Sequence, residues 1–178
     1  MSKVLVAPVK AAGPDGAPGE HFDPNVPGVD YGVLDTLVGY SLRRAQLVIY
    51  EDFVQTLAPW NITPQRFSAL VIISRNASLK LTQLAHILGI ARSGAVMIVD
   101  ALAEMDYVER QPSADDRRAY GLVLTPRGKR DLKVITEAVA GHDQRIARGL
   151  GDADVQQLMR MLKQIAGQGA AAFRKESA

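Results

Sequence analysis

The stretch LTQLAHILGIARSGAVMIVDALAEMDYVERQPSADDRRAYGLVLTPRG, residues 81–128, decides how this chain is read. Residues 82–88 form a short helix that stops at Gly89, a residue suited to the left-handed cap that ends helices. Residues 92–105 form a second helix, with Ala95, Ile98, Leu102 and Met105 on one face and Arg92, Ser93, Val96, Met97 and Asp100 off it. Two short helices around a tight turn make a helix-turn-helix. Residues 107–110 and 119–124 are then extended runs with β-branched or aromatic members. The polar run 112–118 between them predicts a hairpin with a long charged tip. The expected fold class is mainly α with a small β-hairpin wing: a winged helix-turn-helix plus a helical dimerisation region.

Working outward, Thr125-Pro126 and Thr63-Pro64 repeat one start signal, a threonine cap followed by proline in the first helical position. The first opens a helix carrying Leu132, Ile135, Val139 and Ile146, interrupted by Gly149 and Gly151. A last helix follows, with Val155, Leu158, Leu162 and Ile165 on one face and Asp152 and Asp154 in its first turn, where the helix dipole favours acids. The second opens a helix running to about Arg75, and residues 76–78 read as a turn. Upstream, Leu34, Leu37, Val38, Leu42, Ala45, Ile49 and Phe53 recur every three or four residues, predicting one helix over 31–58 that stops at Pro59. Such a stripe needs a covering surface, so a partner chain is expected. Residues 1–30 hold five of the nine prolines and keep no hydrophobic period. They read as a flexible arm, or one draped over a partner subunit.

The 178 residues suffice for one domain with a real core. With 47% hydrophobic but only 6% aromatic residues, the composition suits a helical protein rich in Leu, Ile, Val and Ala. No apolar run approaches the roughly 18 residues a membrane span needs. The first nine residues are too short an apolar stretch for a signal peptide, so the cytoplasm is the expected compartment. Absence of cysteine excludes disulfides, thiolate metal sites and thiol redox sensing. Net charge is +2, a mild excess that permits nucleic-acid binding without arguing for it. His21, His86 and His142 have no metal-ligand spacing. No nucleophile–base set, phosphate loop or carboxylate pair suggests catalysis, so neither an enzyme nor a cofactor is expected.

A second helix of this kind lies in the major groove with its N-terminal residues nearest the bases. Arg92 and Ser93 occupy that end, with Thr82 and Gln83 at the start of the helix before it. Arg92 can fork onto guanine or grip a phosphate. Val96 and Met97 either meet thymine methyl groups or belong to the core. At the hairpin tip, Arg117 and Arg118 come within reach of a minor groove, where narrow A·T tracts attract arginine. Asp116 can pin Arg118 by a fork–fork contact, so that less freedom is lost on binding. The bland reading of this tip is a solvated charged turn.

The run Asp116-Arg117-Arg118, the strand after it and Leu124-Thr125-Pro126-Arg127-Gly128 together resemble the wing signature of the multiple antibiotic resistance regulator (MarR) family. Leu81-Thr82-Gln83-Leu84-Ala85, Leu88-Gly89-Ile90, Val99-Asp100-Ala101-Leu102 and Val108-Glu109-Arg110 fall at the family's spacing. Residues 38–45 and 62–67 match as well, so the resemblance covers about residues 31–170. Ala91 stands where the family usually has a capping side chain, and Gly94 and Met97 replace common polar or basic residues.

The resemblance implies a homodimeric DNA-binding transcription regulator, with dimerisation helices at 31–58 and 126–172 and a DNA-binding lobe at 63–125. It implies an inverted-repeat double-stranded operator, and a small-molecule site where the dimer interface meets the lobe. Family effectors are commonly aromatic carboxylates, phenols or aromatic acyl-CoA thioesters. Tyr40, Arg43, Arg44, Trp60, Arg66 and Phe67 are the matching groups: an aromatic acid needs a flat apolar slot and a cation. Tyr40 and Arg43 are expected on one side of the first helix, with Arg44 nearer the rim. The other class left open is a winged-helix protein–protein module that has lost DNA binding.

Overall fold

The computed structural model describes residues 22–76, 78–112 and 120–176, and of residues 168–176 the backbone alone. Among the described residues the helices are α1 (Val38–Leu57), α2 (Pro64–Arg75), α3 (Leu81–Leu88), α4 (Arg92–Glu104), α5 (Pro126–Ile146) and α6 (Asp152–Glu176). The strands are β1 (Leu79–Lys80), β2 (Val108–Pro112) and β3 (Tyr120–Leu124). They form one antiparallel sheet in the order β1-β3-β2. The mainly helical fold with a small winged sheet is as expected. No single described helix is long and apolar enough to cross a membrane.

The first helix begins later than its apolar spacing predicts. Gly32 takes φ +55° and its amide donates to Asp30 Oδ1 at 2.8 Å, opening a 3₁₀ turn over Gly32–Thr36. Leu37 is extended, and α1 starts only at Val38. Leu34 and Leu37 thus continue the spacing of a helix to which they do not belong. At α2 the expected cap is present: the Arg66 amide donates to Thr63 Oγ1 at 3.3 Å.

The strand β1 occupies residues between the turn expected at 76–78 and the helix expected from Thr82, where no element was expected. Leu79 pairs with Leu122 and Lys80 with Gly121. A Cβ on Gly121 would lie 2.7 Å from the Ser78 Cα, so the close approach of this edge depends on glycine. The run from Thr125 to Gly128 fastens the other side. Thr125 is buried; its hydroxyl donates to the Asp106 carbonyl at 2.6 Å and accepts from the Gly128 amide at 2.9 Å. A Cβ on Gly128 would sit 2.1 Å from the Tyr107 carbonyl oxygen. The turn after α4 is thereby clamped to the start of α5, which sets where the hairpin leaves the helices.

The chain divides after His142 into two compact units. The core of the first joins Leu57, Leu70, Leu84, Val99, Leu102, Leu122 and Ile135, all fully buried. The second holds the end of α5, a turn in which Gly149 has φ +94°, and α6. The α6 start is closed by Asp154, whose Oδ2 accepts from the Gly151 amide at 3.2 Å.

Candidate nucleic-acid interface and effector groups

The α3–α4 pair bends by 109°. Gly89 makes this break with φ +64°, its amide donating to the His86 carbonyl at 3.2 Å while the Ile90 amide donates to Ala85 at 3.1 Å. At the start of α3, Gln83 Oε1 accepts from the Lys80 amide at 2.9 Å, so this candidate contact also shapes the helix that carries it. Thr82 beside it is exposed.

Helix α4 buries Ala95, Ile98, Val99 and Leu102. At 100° per residue the opposite face carries Ser93, Met97, Asp100 and Glu104. Arg92 and Ser93 are exposed at the helix start, and Val96 is half-buried. Met97 is 73% exposed, which removes the core reading for that residue. Ala91 forms no side-chain cap, leaving the first amides of α4 without one. Asp100 is joined to Arg110 of β2, a contact that the sequence reading missed.

In the hairpin, Pro112 pairs with Tyr120 and Val108 with Leu124, and β2 and β3 leave the tip between them. Asp116, Arg117 and Arg118 lie outside the described residues.

The groups expected around an effector fall into two places. Near the start of α1, the Arg44 guanidinium stacks 4.5 Å from the Tyr31 ring centre and 5.3 Å from that of Tyr40. It also donates to Asn25 Oδ1 at 3.2 Å and pairs with Asp35 at 3.7 Å. Arg44, not Arg43, therefore shares the side of Tyr40, which corrects the expected arrangement. Four residues of helix turn through 400°, leaving a 40° offset, whereas three leave 60° the other way. Arg43 is exposed. Phe22, whose amide donates to Glu51 Oε2 at 3.4 Å, and Asn25 place residues 22–31 back along α1 of the same chain. Part of the expected arm thus packs on its own first helix.

About 20 Å further along α1, at 1.5 Å per residue, lies the second place. Phe67 tilts against Phe53 with ring centres 6.0 Å apart, and Trp60 packs on the same core. Arg66 Nη1 donates to the Asn61 carbonyl at 2.9 Å. Beneath Phe53, buried His142 meets it edge-on at 5.3 Å, with His142 Nδ1 2.6 Å from Asp52 Oδ1. Within one chain Tyr40 and Phe67 do not line a common slot. The Asp52–His142 pair had no signal in the sequence, its members being 90 residues apart.

Residues 62–120 match the model of the MarR family. A protein of Thauera aromatica described as a transcriptional regulatory protein for the hcr operon is 32% identical over 136 residues, 76% of this chain and 82% of the relative. The chain belongs to the MarR family. Like other members of the MarR family it is a transcription regulator. Among solved structures, the transcriptional repressor CouR bound to a 23-mer DNA duplex is 37% identical, with a TM-score of 0.74 over 78% of this chain and 98% of that one. CouR bound to p-coumaroyl-CoA is 35% identical, with a TM-score of 0.71 over 78% of this chain and 97% of that one.

Proposed function

We propose that the chain acts as a homodimeric repressor that holds two reading heads on an inverted-repeat operator and is released by an aromatic acid or aromatic acyl-CoA. One observation carries the reading: CouR, similar over nearly its whole length, is known both on a DNA duplex and with p-coumaroyl-CoA. An acyl-CoA is therefore favoured over a free acid.

The dimer rests on uncovered apolar surface. α1 exposes Val38, Leu42, Val48 and Ile49, and α6 exposes Leu158, Met159, Leu162 and Ile165. Apolar stripes of that extent mark interaction surfaces. A twofold dimer reads half-sites centred about 10 bp apart, or a multiple of that. Arg92, Ser93, Val96 and Met97, with Thr82 and Gln83, face the major groove; Arg117 and Arg118, braced by Asp116, enter the minor groove. On the effector side, exposed Arg43 meets the negative charge of the ligand, whose aromatic part lies either against Tyr40 and Arg44 or against Trp60, Arg66 and Phe67, which within one chain are separate places.

The test is a gel shift on the promoter adjoining its own gene, followed by titration with p-coumaroyl-CoA, free p-coumarate and free CoA. Release by the ester is expected, with calorimetry showing weaker binding to Arg43→Ala. Moving a complex from mostly bound to mostly released takes about 5.5 kcal/mol of differential affinity, well within detection. Failure of all three ligands to release the DNA would discard the aromatic effector. Failure to shift any promoter fragment would favour the protein–protein module instead.

A further inference from the structure

We infer that Met97 is a base-reading residue that recognises the C5 methyl group of a thymine in each half-site. The inference rests on the DNA-binding reading above and adds what that face discriminates.

Three observations carry it. First, Met97 lies at the middle of the stripe opposite the buried face of α4, one turn after Ser93 and one to two turns before Asp100 and Glu104. Second, its thioether arm is 73% exposed, although its neighbours Ile98 and Val99 are buried, so it fills no space in the core of this chain. Third, the two acids that follow it on the same stripe are paired or unsuited to the same task. Asp100 is held by Arg110 at 2.5 Å, and Glu104, near the far end of the helix, carries the sign that phosphates repel. The centre of the reading face is thus an unbranched apolar side chain.

Among base edges in the major groove, only thymine offers an apolar group, its C5 methyl. Methionine is long and adaptable enough to reach it without a fixed donor geometry. Half-buried Val96, one residue earlier, widens the apolar surface on the side of Arg92. Arg92 would then supply the charged contact and Met97 the methyl contact, so each half-site holds a thymine close to the position gripped by Arg92.

The experiment uses the full-length protein and the promoter fragment that it protects from cleavage. Each thymine in a half-site is replaced in turn by deoxyuridine, which lacks only the methyl. Wild type should lose about fourfold in affinity at one position per half-site, the weight of one buried methyl-sized group. Met97→Ala should bind the thymine and uracil duplexes equally, and Met97→Leu should restore the difference. The salt dependence should be unchanged in Met97→Ala, because an apolar contact releases no counterions, whereas Arg92→Ala should flatten it.

Equal wild-type affinity for every uracil duplex would overturn the inference while leaving DNA binding intact. So would a uracil penalty that persists in Met97→Ala. Affinity gained on methylating a cytosine at C5, with indifference to uracil, would assign the contact to methylated DNA instead. Absence of binding to the thymine duplex itself would overturn the DNA-binding reading along with this one.

Discussion

Asp100 on α4 and Arg110 on β2 are joined, Oδ1 to Nη2, at 2.5 Å. The pair ties the outer face of the second helix to the first strand of the wing, ten residues along the chain. Both side chains are more than one-third exposed, and exposed ion pairs contribute about 0–1 kcal/mol to stability. Its importance is therefore positional and electrostatic: it pairs the acid next to Met97 on the face of α4 proposed to meet DNA.

Arg110→Ala should leave the melting temperature within a few degrees of wild type, as loss of an exposed pair predicts. Affinity for the operator should fall by ~1 kcal/mol or more, since Asp100 then faces the phosphates unpaired. Asp100→Asn removes the anion as well as the pair and should bind nearly as well as wild type. Equal losses in the two variants, measured by fluorescence anisotropy, would contradict the electrostatic account.

For the wing, Arg118→Ala is expected to weaken operator binding by at least ~1 kcal/mol and to lower the salt slope by about one. Asp116→Ala should weaken it less, through a looser arginine. Helix content and sedimentation should not change. An Arg118→Ala protein with wild-type affinity across a salt titration would remove the tip from the interface.

Gly128→Ala should destabilise the fold by about 1–3 kcal/mol, the cost of forcing an extra group into a packed site. The new Cβ would meet the Tyr107 carbonyl oxygen at 2.1 Å, and backbone on both sides must move. A lower urea midpoint at unchanged slope is the expected signature. A midpoint equal to wild type would show that the clamp at Thr125 and Gly128 tolerates a side chain.

Burial, with the Asp131 carboxylate beside it, raises the Tyr107 phenol above its usual range against the opposing pull of Arg127. The unfolded phenol ionises near pH 10, while the folded one stays protonated. Stability from this group is thus fully present below about pH 10 and is lost as pH rises through the folded value. Tyr107→Phe should show a shallower decline in denaturant midpoint between roughly pH 9.5 and 11. A decline of the same steepness in both proteins would assign the alkaline loss to other groups.

The parts of this fold that were legible in the sequence are those that one or two residues specify through their own backbone chemistry. Thr63 accepts from an amide three residues on, Gly89 turns left-handed, and Thr125 and Gly128 close on each other. Each needs only local geometry, so type and spacing suffice. The periodic burial of Ala95, Ile98 and Leu102 followed for the same reason.

Tertiary structure decided what depends on approach between distant segments. A two-residue strand such as β1 has no period to detect; it exists because Gly121 lets Ser78 come close. The apolar spacing of Leu34 and Leu37 could not reveal that α1 starts at Val38, because extended Leu37 interrupts the helix without interrupting the pattern. The spacing of α1 already favoured Arg44 over Arg43 as the neighbour of Tyr40, but packing of residues 22–31 brought Tyr31 and Asn25 to the same guanidinium, and the pairing of Asp52 with His142 across 90 residues was invisible. By itself the sequence determined the winged helix-turn-helix and the exposed N-terminal end of its second helix, since periodicity and caps are properties of a single segment. Only the folded chain decided that Met97 stands clear of the core and that Asp100 is neutralised by Arg110, because burial and ion pairing arise from which surfaces meet.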